Sequence, residues 1–159
     1  MGKRSTKENK CAYQLAREAA GLTREQASEA MEYISDDRIE KIERGVLSAH
    51  PEEVITMSEC YKDATLCNYY CSHECPIGQK YIPEVQIKDL SQITLEMLAS
   101  LNAMEKEKNR LIEITVDGKI TDDERPDFEK IQQELRDISI SIQSMQMWIE
   151  HATLTGEIK

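Results

Sequence analysis

The chain has 159 residues, 40 % hydrophobic and 31 % charged, a balance that suits one or two small globular domains and excludes a disordered tail. Its net charge of -10 argues against nucleic-acid binding by the protein as a whole, and no apolar run approaches the roughly 20 residues a membrane span needs. The first ten residues form the only basic cluster (Lys3, Arg4, Lys7 and Lys10 against Glu8), and no apolar stretch follows as a secretion signal requires. The cytoplasm is the expected location, and there five cysteines point to metal or thiol chemistry more than to disulfides.

Residues 1–61 read as four or five short helices with tight turns. Apolar residues recur at helical spacing through Leu15, Ala19, Leu22, Ala27, Ala30 and Met31, then Ile39 and Ile42. Gly21 stops one helix, and Thr23 with Gln26 three residues on forms a capping box for the next. Ser35 caps a third helix, with Asp36 and Asp37 in its first turn and Gly45 at its end. Pro51 after His50 starts a fourth, at the position where its missing N–H costs nothing.

Residues 62–88 differ in kind. Cys67, Cys71 and Cys75 stand at i, i+4 and i+8, with His73 between them and Pro76 directly after. On one helix face, side chains four apart lie about 6 Å from each other, close enough to share a metal. Zinc takes four thiolates, or three and one imidazole, so His73 or Cys60 is the expected fourth ligand. The trailing Cys-Pro also fits iron–sulfur ligation, a lesser expectation beside zinc. Free, partly buried thiols are the plain alternative. Pro76, Gly78 and Pro83 predict an irregular joint after Cys75.

Residues 89–159 read as two long helices, over about 90–115 and 126–153, around a turn at Asp117 and Gly118. The first carries Leu90, Ile93, Met97, Leu101, Met104 and Leu111 on one stripe. In the second, Phe128, Ile131, Leu135, Ile138, Ile142, Met145 and Ile149 alternate in steps of three and four, the pattern of a coiled-coil seam. A short turn makes the pair an antiparallel hairpin. One hairpin cannot bury both sides of Ile138, Ile140, Ile142, Met147 and Trp148, so a homodimer through this segment is expected. The turn itself, Glu113 to Glu124, is similar to a calcium-binding EF-hand loop, with Gly sixth, Ile eighth and Glu twelfth. Its other reading is a helix-breaking Asp-Gly turn followed by an N-cap at Thr121.

Arg17 through Thr23 (REAAGLT), followed by Ile39 through Gly45 (IEKIERG), resembles the XRE, or phage-repressor-like, helix-turn-helix family over residues 12–61. The resemblance implies an all-α protein whose N-terminal lambda-repressor-like domain precedes the hairpin. It implies that an arginine at position 17 pairs with a glutamate at position 43, both structural. It also implies that the third helix enters the major groove, which makes Ser35, Asp36, Asp37, Arg38 and Lys41 the expected base-facing residues. Arg24 stands where the family contacts phosphate, and Lys3 and Arg4 are the expected backbone-neutralising arm.

The parts add up to three segments: a helix-turn-helix domain at 1–61, a cysteine joint at 62–88 and a dimerising hairpin at 89–159. Three scattered histidines and the lack of a Ser/His/Asp set or phosphate loop predict no catalysis. The expected role is a DNA-binding transcriptional regulator. The alternative on the same fold is a protein-interaction module, an adaptor or anti-repressor, built on the acidic third helix.

Overall fold

A computed structural model describes residues 10–158, and among them every regular element is helical. The fold class is all-α, and no helix is long and apolar enough to cross a membrane. In chain order the helices are α1 (Ala12–Ala19), α2 (Arg24–Met31), α3 (Asp36–Glu43), α4 (Pro51–Tyr61), α5 (Thr65–Tyr69), a π-helical turn (Tyr70–Glu74), α6 (Gly78–Tyr81), α7 (Leu90–Thr115) and α8 (Arg125–Thr155). Two compact units result. One reaches through Glu84 and takes in the residues from Ile149 onward; the other is Val85–Trp148.

The first unit is built from helices too short to be stable alone, so their caps and shared core hold them. Thr23 accepts from the Gln26 N–H while the Gln26 side chain accepts from the Thr23 N–H, the reciprocal cap expected from the sequence. Ser35 accepts from the Arg38 N–H. Gly21 and Gly45 leave α1 and α3 at φ 74° and 68°, a region open to glycine at little cost. The turn from α2 into α3 has no glycine. Glu32 takes φ 60° there, and the Tyr33 N–H donates to the Met31 carbonyl across it at 2.6 Å. This is a γ-turn, a strained one for a residue with a Cβ. The Tyr33 phenol, 2.5 Å from the Thr56 hydroxyl, ties the turn to α4.

Ala27, Ile34, Ile39, Val54, Met57 and Leu66 are the fully buried centre of this unit, with α1 packed on α3, α4 and α5 and α2 on α3 and α4. Leu66 comes from the cysteine segment, where residues 65–74 are helical and α5 packs on α1, with Tyr69 meeting the Tyr13 ring edge to face at 5.9 Å. Regular helix breaks at Cys75, resumes briefly in α6 and gives way to irregular chain from Ile82.

In the second unit, Arg110 on α7 pairs with Asp127 on α8 at 2.7 Å, and Glu107 with Lys130 at 2.5 Å. Three residues back along one helix match three forward along the other, which makes the hairpin antiparallel. The same register sets the buried Ile93 level with Ser144. Ser141 and Ser144 are buried without an orphaned hydroxyl, because each donates to the carbonyl four residues earlier, Asp137 and Ile140, at 2.9 Å. Buried α8 positions are Ile131, Ser141, Ser144, Met147 and Ala152, while Leu135, Ile142 and Ile149 of the expected seam are 47, 45 and 45 % exposed. Two helices cover one stripe of each other, and the stripe they cover is turned toward the serines. At the hairpin turn, the Glu124 carboxylate accepts from the N–H and hydroxyl of Thr121 at 3.0 and 2.6 Å, just before α8 begins.

Candidate nucleic-acid interface and the cysteine joint

The DNA-facing expectation rests on α2, α3 and the turn between them. At their inner side, Glu43 is the anchor. Its side chain is 1 % exposed and accepts from Arg17 Nε at 2.6 Å, Arg17 Nη2 at 3.0 Å and Arg24 Nε at 2.7 Å. Arg17 Nη1 donates to the Leu22 carbonyl at 2.7 Å, and its partner glutamate holds the guanidinium's pKa above the ordinary value despite burial. The pairing of positions 17 and 43 thus stands as the resemblance implied. Arg24, expected on a phosphate, is shared with this knot, though its side chain keeps 35 % exposure.

On α3 the expected base-facing residues divide. Ser35 is spent as the cap. Arg38 forks onto Glu53 of α4 with two 2.8 Å bonds and donates to the Ser48 carbonyl at 2.9 Å. Its guanidinium therefore clamps α3 to α4. Asp36 and Asp37 are exposed, and the Asp36 carboxylate accepts from the Asp37 N–H at 2.9 Å. Lys41 pairs with Asp37 at 2.6 Å, and Arg44 with Glu40 at 3.3 Å, both across one turn and both exposed. Sequence reading did not single out Arg44, whose signal was the glutamate four residues before it. Magnitudes separate these cations. An exposed pair one turn apart is worth about 0.3–0.5 kcal/mol, so Lys41 and Arg44 are released cheaply. A two-bond pair with both partners largely buried is far costlier to open. Lys3 and Arg4 lie outside the described residues.

In the joint, Cys67, Cys71 and Cys75 are half-buried free thiols. Cys67 sits on α5 against the helical core; Cys71 and Cys75 belong to the π turn and its end. Burial pushes the thiols of Cys11, Cys60, Cys67 and Cys71 above their ordinary pKa, which keeps them protonated near neutrality. His73, the expected fourth zinc ligand, stacks on Tyr69 with ring centroids 4.7 Å apart. Its Nδ1 lies 2.9 Å from the Ser72 hydroxyl and 3.2 Å from the Tyr69 carbonyl, while Nε2 faces Glu84 at 3.6 Å. Among the described residues, no three His, Cys, Asp or Glu side chains gather as a metal-binding group. The zinc or iron–sulfur ligands expected at Cys67, Cys71, Cys75 and His73 do not form such a group among the described residues, and the His73 imidazole lies against Tyr69. Gly78 is the residue whose role the sequence hid. A Cβ there would run into the Cys71 carbonyl, so α6 lies directly on the π turn only because the position is glycine.

No protein-family model, curated protein or solved structure matches the chain.

Proposed function

We propose that this protein is a DNA-binding transcriptional regulator of the XRE helix-turn-helix type, acting as a homodimer through its C-terminal hairpin. The observation that carries the reading is the Arg17–Glu43–Arg24 knot beneath α2 and α3. It braces a two-helix element whose outer α3 face stays free of packing and offers Lys41 and Arg44 on weak, exposed pairs. Arg38 and Ser35 then serve the fold, and Lys41 and Arg44 serve the DNA. The exposed Leu135, Ile142 and Ile149, seven residues apart, support pairing of hairpins.

Selection from a random duplex pool at about 50 mM salt, where phosphate contacts persist, tests the reading. Wild-type protein should retain a recurring sequence. The double variant Lys41→Ala, Arg44→Ala should bind it more weakly, with the slope of log affinity against log salt reduced by about 2. Absence of any enriched sequence would count against DNA recognition. The second reading, a protein-interaction module, is favoured by the exposed Asp36, Asp37 and Glu40 on that face. It gains if a basic partner protein binds and Asp36→Lys releases it.

A further inference from the structure

We propose that Cys71 and Cys75 are a reversible dithiol pair that a small hydroperoxide closes to a disulfide within the π turn. The two residues span the turn Tyr70–Glu74, where the Cys75 N–H donates to the Tyr70 carbonyl five residues back at 2.9 Å. On an ordinary helix, Cβ atoms four residues apart stand about 5–6 Å from each other. A disulfide needs roughly 3.5–4.5 Å, and so a closure of about 1–2 Å. The wider π turn stacks residues four apart more nearly one above the other than an α turn does, and π turns recur at functional sites. Cys75 stands at the end of the turn, at φ -84°, ψ 118°, with its N–H bonded to the Tyr70 carbonyl and its own carbonyl accepting from the Gln79 N–H.

Chemistry separates this pair from the other thiols. Cys75 Sγ accepts the Gly78 N–H at 3.4 Å, a bond to sulfur that fits Cys75 as the attacking atom. Cys11, Cys60 and Cys67 are instead packed against the helical core. Among the described residues no third His, Cys, Asp or Glu side chain gathers with the pair into a metal-binding group. In the first step the Cys75 thiol gives its proton and its sulfur attacks the peroxide. The O–O bond breaks, leaving a sulfenic acid and the peroxide's other oxygen as water from hydrogen peroxide or as an alcohol from an organic hydroperoxide. The Cys71 sulfur then displaces the sulfenic hydroxyl as water and forms the S–S bond. Two thiols are oxidised by two electrons and one peroxide is reduced. A dithiol reductant reverses the change.

The full-length protein, fully reduced and then freed of reductant without air, is treated with hydrogen peroxide and alkylated in denaturant. Five thiols should label before treatment and three after, with a mass lower by two hydrogens and recovery on adding dithiothreitol. Cys67→Ser should still close; Cys71→Ser and Cys75→Ser should not, and Cys75→Ser should also leave Cys71 unoxidised at early times. Far-ultraviolet circular dichroism checks that each variant keeps its helices. Five labelled thiols after treatment, a Cys67–Cys71 bridge, chains linked to each other, or direct passage to sulfinic acid would each overturn the proposal. The wild-type result decides it even if a variant fails to fold.

Discussion

Among the described ion pairs, Glu43 carries the most deeply buried charge. Its carboxylate is almost wholly buried and is neutralised by two guanidiniums. Removing one partner of a buried pair leaves a charge in low dielectric, which costs about 3–5 kcal/mol. Arg17→Ala should therefore lower unfolding free energy in urea by about that amount. Arg24→Ala should cost about 1 kcal/mol, since Arg24 is a third exposed and Arg17 remains in place. Equal losses for the two variants would show that the knot is not organised around Arg17. The 17–43 pair was legible in the sequence through a motif. Arg24's share was not, because only packing brings the first residue of α2 to the last residue of α3.

At the scale of elements, the joint between α3 and α4 is electrostatic. Glu53 accepts from Arg38 and from the His50 N–H at 2.7 Å, and Arg38 is the main cause of a carboxyl pKa below its ordinary value of 4.5. A carboxyl whose pKa falls on folding contributes stability above its unfolded value, and that contribution is lost as pH drops through the folded one. Wild-type stability should thus decline below about pH 4.5. Glu53→Gln should be less stable at neutral pH but less sensitive to acid, with a difference in slope of up to about 1.4 kcal/mol per pH unit, the value for one proton. Parallel pH profiles would remove Arg38–Glu53 from the account. Arg38 in the first turn of α3 is expected at the bases, and nothing local reveals that Glu53, fifteen residues on, pairs with it. The helical stretch before Cys75 was legible in the four-residue spacing of the cysteines; its packing on α1 was not, because Tyr13 and Tyr69 stand far apart along the chain.

The whole molecule turns on what covers α8. Leu135, Ile142 and Ile149 repeat every seven residues and remain exposed, so a second hairpin is the expected partner. Sedimentation at micromolar concentration should give about twice the chain mass of 18.3 kDa, and Ile142→Asp should return it to one chain without loss of helix. A wild-type protein that sediments as a single chain would end the dimer proposal. The sequence alone determined the all-helical class, the caps at Thr23 and Ser35, the turns at Gly21, Gly45 and Gly118, and the two long helices. Each of these follows from hydrogen bonds and side-chain periodicity within a few residues. Tertiary structure alone decided which arginines are structural, which face of α8 is buried and how the three cysteines lie. Those outcomes depend on which distant carboxylate, helix or carbonyl arrives nearby, and a linear spacing carries no record of that arrival.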